Sequence, residues 1–354
     1  MSKERNINLD IIRSVALLSV ICIHFPLYIG FYDQPLDDIP NCTMSFLITV
    51  CKVCIALFLL LTGYLKSDGT LTKQYYHGII KIYRAYVLAS LVCVIYKKIR
   101  QIRGLRYAIV DILGFSASDY AWYIAMYIGL FLLIPFLNMA YHNLDTQRSK
   151  QLLIISCFIC TGAPSVLNIW PFGKLIPDFW ISIYPITYYF IGAYLKEYPV
   201  KIAPLKAGLL FLICVSVFTV FNIQFSYPRS FIAGVWNEWG SFQTTIDAVL
   251  LFILLYNLKT DNMPTIIRNA FIWISQLSVY AFLVSSIFDR EFYYRGLNVR
   301  ILEVKERMPY APLMVMVSFT CSIVLAALLY FLDKVIVKLL ITLASIVKKG
   351  LEKV

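Results

Sequence analysis

Three ionisable residues in the first apolar stretch have types and a spacing that could do chemistry together: Asp10, Arg13 and His24. An α-helix turns by about 100° per residue, so Arg13 lies one turn from Asp10 and three turns from His24, on one face. That face extends about 16 Å from Arg13 to His24. The alternative is a packing role, in which Asp10 pairs with Arg13 and His24 is a hydrogen-bonded buried residue.

The chemistry of these side chains indicates transfer of a group to a hydroxyl. A neutral buried His can take a proton from a hydroxyl and so activate it as a nucleophile. An Arg at the other end of the face could hold a phosphorylated donor, because its planar guanidinium binds phosphate oxygens in pairs. The sequence has no Gly-x-Ser-x-Gly, His-Glu-x-x-His, P-loop or dinucleotide-binding motif that would favour another mechanism.

The elements that must position these residues are membrane helices. The 354 residues are 60% hydrophobic and 15% charged, with a mean hydropathy of +0.73, whereas soluble domains carry about 25% charged residues. This composition excludes a soluble globular protein and predicts contact with membrane lipids. We expect one all-α domain over residues 1–354, a polytopic bundle of about ten transmembrane helices that ends in a basic cytoplasmic tail at 333–354. The predicted spans are 9–29, 45–65, 79–96, 119–140, 152–170, 180–195, 207–226, 241–257, 270–287 and 311–332.

Lys and Arg near the helix ends predict a cytoplasmic N-terminus and, with ten spans, a cytoplasmic C-terminus. The net charge of +12 is read as membrane orientation, with no nucleic-acid partner, because the basic residues form no continuous stripe. Two basic segments, 97–106 and 288–310, would face outward. They bind an anionic partner, carry ordinary solvated charge, or show that one span is miscounted. The first apolar stretch has no cleavage pattern and is expected to remain in the protein.

The remaining polar residues inside apolar runs have weaker interpretations. Lys52 and Asp247 are expected to pair with each other across the bundle. Two Cys-x-x-C spacings, Cys51/Cys54 and Cys157/Cys160, lack nearby His or carboxylate residues. Small buried side chains are therefore the preferred account of the cysteines, and no metal site is predicted.

Segment 8–25, NLDIIRSVALLSVICIHF, resembles the first helix of the acyltransferase 3 family of integral membrane O-acyltransferases, in which an Arg is followed after ten residues by a His. Arg13 and His24 fit that spacing. The resemblance covers nearly the whole chain, since further segments match the family in order. These are VCIALFLLLTGYL (53–65), KIYR (81–84), AWYIAMYIGLFLLIPFLN (121–138), YPITYYFIGAYL (184–195) and SQLSVYAFLVSS (275–286).

Three departures from the family pattern stand out. Thr62 replaces a frequent Ser and keeps its hydroxyl, while Lys81 replaces the first Arg of a pair and loses the bidentate fork. No His follows Tyr280, where many members have one.

The resemblance implies transfer of an acyl group, most often acetyl from cytoplasmic acetyl-CoA as co-substrate, in a bacterial plasma membrane. His24 would act as general base or carry the acyl group transiently. Arg13, with Lys81 and Arg84, would bind the CoA phosphates, and Asp10 would hold Arg13.

The acceptor implied by the resemblance is a hydroxyl of a surface glycan or a lipid-linked sugar outside the cytoplasm. Trp122, Tyr123 and Tyr127 are candidates for its path, because aromatic rings stack on sugar faces; helix packing is the plainer account of each. Two other functions stay open: a glycan or lipid transporter, and a non-catalytic partner in envelope assembly. A transporter is expected to show repeat symmetry or broken helices, and neither is visible in the sequence.

Overall fold

The structure is a computed structural model that describes residues 5–168 and 173–351. Helices dominate these residues, which contain no strand, only an isolated bridge between Pro35 and Ser230. A π-helix follows α12 over Arg290–Leu297. The α-helices are α1 (Ile7–Ile29), α2 (Ile39–Cys51), α3 (Cys54–Lys66), α4 (Lys73–Ile99), α5 (Ala108–Leu113), α6 (Trp122–His142), α7 (Gln147–Thr161), α8 (Pro164–Leu167), α9 (Tyr184–Glu197), α10 (Pro204–Ser226), α11 (Phe242–Tyr256), α12 (Thr265–Asp289), α13 (Asn298–Arg300), α14 (Val304–Arg307) and α15 (Ala311–Leu351).

Seven helical segments of the described chain are long and apolar enough to cross a membrane, which indicates a multi-pass membrane protein. They are Ile7–Ile29, Ile39–Lys66, Lys73–Ile99, Trp122–His142, Pro204–Ser226, Thr265–Arg300 and Val304–Ser345. The other three predicted spans coincide with α7, α9 and α11, which have 15, 14 and 15 residues and fall short of the about 20 that a bilayer requires. The all-α class is confirmed, whereas the count of about ten crossings stays a prediction.

Two predicted segments extend beyond the described residues. The last two residues of the predicted span 152–170 lie outside the described residues. Residues 352–354 of the predicted tail also lie outside them. The rest of that tail, up to Leu351, continues α15, which runs without interruption from Ala311 over 41 residues.

Helix α1 carries the residues of the polar face and has clear local signals at both ends. The side chain of Asn6 accepts a hydrogen bond from the Asn8 amide and caps the first turn. Gly30 ends the helix in the left-handed conformation, with φ +84°, which glycine adopts without a steric penalty. Asp10 lies in the first turn, where a carboxylate is favoured by the helix dipole.

One end of the bundle, here called the N-terminal end, collects the start of α1 and the ends of three other helices. The Asn8 amide donates to the carbonyls of Tyr256 and Leu258, just at the end of α11. The Asn138 amide of α6 donates to the carbonyl of Lys66 at the end of α3. The two sets of contacts lie at the same end of the bundle, because the hydroxyls of Tyr64 in α3 and Tyr256 in α11 are 2.7 Å apart.

The other end, here called the opposite end, is built around the C-terminus of α1. The Asn298 amide donates to the Tyr28 carbonyl, and the Arg307 guanidinium donates to the Ile29 carbonyl. The polar face of α1 therefore runs from one end of the bundle to within two turns of the other.

The apolar helix over Ile39–Lys66 is interrupted at Lys52 and Val53, where α2 ends and α3 begins. The predicted continuous span over 45–65 is therefore wrong at this point, because two helices share it. The interruption gives the side chain of Lys52 a position between two helical segments.

Candidate active site

The first polar centre lies near the N-terminal end of α1, where Asp10 and Arg13 share a face as predicted. Arg5 holds the buried Asp10 carboxylate with two hydrogen bonds of 2.7 Å, and this bonding raises the pKa of the Arg5 guanidinium. Arg13 Nη1 lies 3.8 Å from the Asp10 carboxylate and donates to Ser275 Oγ of α12 at 2.6 Å. Arg5 is thus the main partner of Asp10, a role that sequence reasoning missed.

Arg13 lines a cavity of about 530 Å³ formed by α1, α3, α4, α6 and α12, with Tyr330 contributed by α15. Every charged residue of its lining is basic, and Lys81 lies exposed at the rim. Arg5 is paired with Asp10, and the other three cations, with no acidic residue in the wall, attract a ligand that carries several negative charges, such as a phosphorylated molecule. The four basic residues are Arg5, Arg13, Lys66 and Lys81.

Arg84 does not join this cavity. Its guanidinium pairs with the Asp333 carboxylate of α15 in a bidentate arrangement, with Nη2 3.0 Å from Oδ2. The structure therefore brings Arg13 and Lys81 to one cavity and places Arg84 in a contact that ties α4 to α15.

The second polar centre is built around His24. Its ring stacks on Tyr120, with ring centroids 3.9 Å apart and an interplanar angle of 5°. His24 Nδ1 lies 3.7 Å from Asp289 Oδ2, which accepts a 2.8 Å hydrogen bond from the Tyr120 hydroxyl. The other oxygen of this fully buried carboxylate accepts from Ser318 Oγ at 2.6 Å. His24 keeps 17% of its side chain exposed, so a ligand can reach part of the ring.

Asp289 is a site residue that sequence reasoning missed. The predicted span stopped at residue 287, because the residues from Asp289 to Arg295 include four charges. The helix in fact continues to Asp289 and passes into the π-helix, whose Tyr293 and Leu297 are buried. Tyr293 and Leu297 are four residues apart, a spacing typical of one helix face, and from this pattern a longer helix could have been predicted.

An aromatic layer separates the two centres. Tyr123 and Phe282 line the inner end of the cavity, and their ring centroids are 5.2 Å apart. The Phe282 ring lies 6.0 Å from the Tyr120 ring, which covers His24. His24 is not part of the cavity wall. The polar face of α1 therefore serves two centres, one on each side of this layer.

The three aromatic candidates of α6 divide between two places. Tyr123 and Tyr127 line the basic cavity together with Arg13. Trp122 lies outside it, 40% exposed, with its ring 6.2 Å from that of Trp239.

The expected pairing of Lys52 with Asp247 is wrong. Lys52 Nζ lies 4.0 Å from Glu238 and 4.2 Å from the centre of the Trp239 ring. The buried Asp247 forms no ion pair within the described residues, and its Oδ1 has no hydrogen-bond partner there. The two residues instead line one small cavity.

The two basic segments that the sequence placed outside meet at the opposite end. Asp119 accepts from Arg290 at 2.6 Å and lies 3.3 Å from Lys97, and Arg100 pairs with Glu291. Burial raises the pKa of Asp119, but the hydrogen bond from Arg290 and the charge of Lys97 outweigh it and hold this pKa below its ordinary value. Much of the basic charge is thus balanced within the fold.

The cysteines and acidic residues of the described chain form no cluster of metal ligands. All nine cysteines are free. Within residues 5–168 and 173–351, no three His, Cys, Asp or Glu side chains come together as metal ligands.

The fold and the two centres define a multi-pass membrane protein with a basic cavity on one side of an aromatic layer and a buried His–Asp pair on the other. Residues 6–331 match the model of the acyltransferase 3 family, described as an acyltransferase domain. The chain belongs to this family and is a membrane acyltransferase. Among curated proteins and among solved structures, no match to the chain reaches significance.

Proposed function

We propose that this protein transfers an acyl group, most often acetyl, from acyl-CoA in the cytoplasm to a hydroxyl of a glycan or lipid-linked sugar on the other side of a bacterial plasma membrane. The observation that carries the proposal is the basic cavity, whose inner aromatic wall contacts the ring that stacks on His24. Arg13, which would hold a donor rich in phosphate, and His24, which would accept the proton, thus lie on one face of α1, about 16 Å apart along the helix.

The donor fits the N-terminal end of the bundle. CoA carries several phosphate charges on one end and its thioester at the end of a long, narrow arm. Arg13 presents a planar fork for phosphate oxygens, and Lys81 adds an exposed positive charge at the rim. The arm would extend between the apolar and aromatic walls toward Tyr123 and Phe282.

The chemical step falls to His24. Its imidazole takes the proton of the acceptor hydroxyl, whose oxygen attacks the acyl carbon. The carbon–sulfur bond then breaks, CoA leaves as a thiolate, and the imidazolium returns its proton to the sulfur. Asp289 lies 3.7 Å from Nδ1, so a shift of less than about 1 Å would create a hydrogen bond that fixes the tautomer, as carboxylates do in catalytic triads.

The thioester must pass the aromatic layer to reach His24. Phe282 and Tyr123 close the inner end of the cavity, so one of these rings has to move during acyl transfer. The acceptor would approach from the opposite end, where Trp122 offers an exposed ring and the nearby His24 keeps 17% of its side chain exposed.

The proposal is tested by the O-acetyl content of the surface glycan, measured by NMR in a strain that lacks the gene. The strain is complemented with wild type or with His24→Ala at matched membrane levels. We expect the acetyl signal to return only with wild type, and the shifted resonance identifies the acylated position. Restoration by both versions would make His24 structural.

A second measurement examines the donor directly. Purified protein in detergent is incubated with radiolabelled acetyl-CoA and the isolated glycan, and label in the glycan is counted. Label in the glycan that depends on His24 is the expected result, and an active wild type in cells that transfers no label from acetyl-CoA here would contradict the proposed donor.

A further inference from the structure

A second, much smaller cavity lies between α2, α10 and α11 toward the opposite end of the bundle. Its volume is about 20 Å³, enough for one water-sized species, since a water needs at least about 10–15 Å³. Thr49, Asn222, Gln243 and Asp247 are among the residues of its wall. The acyltransferase chemistry proposed above uses none of these residues.

Three buried oxygen atoms of this wall lack a hydrogen-bond partner within the described residues: Asn222 Oδ1, Gln243 Oε1 and Asp247 Oδ1. Their residues are only 1%, 8% and 1% exposed. The Asn222 amide is oriented by its surroundings. Thr49 Oγ1 donates to the Ser45 carbonyl at 3.0 Å and so accepts from Asn222 Nδ2 at 3.4 Å, which leaves Oδ1 for the cavity.

An ionised Asp247 would have no protein group to balance its charge. Asp247 has no ion pair in the part of the chain that the structure describes, and the one basic residue of the cavity wall, Lys52, is held by Glu238 and Trp239. An unpaired carboxylate buried in a membrane protein is strongly unfavourable unless something compensates its charge.

We propose that this cavity binds one monovalent cation of the size of Na⁺. A single water could donate only two hydrogen bonds to the three unpaired acceptors and would leave the charge of Asp247 uncompensated. A cation can be coordinated by all three oxygens, and its charge neutralises the carboxylate. One carboxylate with two amide oxygens suits a monovalent ion, since protein sites for Ca²⁺ collect more acidic oxygens. The bound ion links α10, through Asn222, to α11.

Thermal unfolding of the purified protein in detergent tests this site. Wild type is compared in NaCl and in choline chloride at equal concentration. Saturating Na⁺ is expected to raise Tm by about 2–5 °C, because a ligand that binds only the folded state stabilises it. Asp247→Asn removes the charge with little change of shape and should abolish this rise. Asp145→Asn makes the same chemical change at an exposed residue between α6 and α7, at the other end of the bundle, and as the matched control should keep the rise.

Binding of ²²Na⁺ to the same samples gives an independent readout, with a single saturable site expected for wild type and none for Asp247→Asn. If Asp247→Asn does not fold, Gln243→Leu removes one ligand and should raise the half-saturating Na⁺ concentration about tenfold. Equal Tm values in the two salts and no bound ²²Na⁺ would overturn the proposal and leave a water beside a neutral carboxylic acid. Loss of Na⁺ dependence in Asp145→Asn as well would also overturn it.

Discussion

The Asp289 carboxylate lies 3.7 Å from His24 Nδ1, so closure to hydrogen-bond distance would let it set the tautomer of the imidazole. Ser318 and Tyr120 hold the carboxylate in place with one hydrogen bond each. Asp289 is therefore a positioning residue for the proposed base, and its effect passes through the imidazole.

Asp289→Asn keeps the shape of the side chain but removes the charge that favours a protonated Nδ1 and stabilises the imidazolium. We expect kcat to fall by about 10²–10⁴-fold with little change in KM for acyl-CoA, because the donor cavity lies beyond the aromatic layer. Steady-state acetyl transfer by the purified variants measures both constants. Ser318→Ala, which leaves the carboxylate in place, should lose much less activity, and equal losses in the two variants would point to a packing role.

Lys81 and Arg84 are one turn apart on α4, but Lys81 lines the basic cavity and Arg84 pairs with Asp333. We therefore expect their substitutions to affect different properties of the protein. Lys81→Ala should raise KM for acyl-CoA about tenfold or more and leave stability unchanged, because an exposed charge at the cavity rim is lost.

Arg84→Ala should leave KM unchanged and cost about 1–3 kcal/mol of stability, because the Asp333 carboxylate, 6% exposed, loses its partner. Kinetics and thermal unfolding distinguish the two; a KM effect of Arg84→Ala would return it to the donor site.

At the scale of elements, α3 and α9 pack so closely that their glycines cannot be replaced. A Cβ at Gly63 would lie 2.0 Å from the Tyr189 carbonyl oxygen, and one at Gly192 would lie 2.1 Å from that of Leu60. Such small residues let membrane helices approach each other through their backbones. This contact anchors the short α9 against the bundle.

Gly63→Ala and Gly192→Ala should each destabilise the protein by about 1–3 kcal/mol or more, because the backbones of α3 and α9 must separate. Gly129→Ala is the control: it lies in α6 with no atom within 4 Å of the added Cβ, and alanine favours a helix. Thermal unfolding in detergent gives the comparison. Unchanged stability in both interface variants would show that the helices tolerate a wider separation.

The sequence predicted which segments form helices, because apolar runs bounded by Pro, Gly and Asp are a strong signal. It predicted less about where helices break or continue. The interruption at Lys52 coincides with the contacts of this half-buried lysine with Glu238 and Trp239. The extension of α12 to Asp289 is stabilised by hydrogen bonds from Tyr120 and Ser318, which belong to other parts of the chain. Contacts between distant segments leave no local pattern in the sequence.

The part of the site that lies on one helix was predictable from the sequence, and the part contributed by distant segments was not. Arg13 and His24 share one helix, so their common face follows from helix geometry alone. The partners that hold them, Ser275 and Asp289, come from α12 and could be found only in the folded protein. Lys81 and Arg84 matched a family motif, but the packing of α15 against α4 decides that only Lys81 lines the cavity.

At the scale of the whole molecule, the two centres lie toward different ends of the bundle. The basic cavity lies toward the N-terminal end, and His24 lies within two turns of the opposite end. The proposed reaction needs the N-terminal end in the cytoplasm, where acyl-CoA is made, and the opposite end outside, where a surface glycan is available. The orientation of the chain in the membrane is therefore a direct requirement of the proposed function.

Two exposed residues report that orientation: Lys98 in the last turn of α4, at the opposite end, and Asp145 between α6 and α7, at the N-terminal end. Each is replaced by Cys in a Cys42→Ser background, which removes a native thiol near the opposite end. A membrane-impermeant maleimide should label Lys98→Cys in intact cells and Asp145→Cys only after lysis. The reverse pattern would place the basic cavity outside the cell, beyond the reach of cytoplasmic acyl-CoA, and the proposed donor would have to be abandoned.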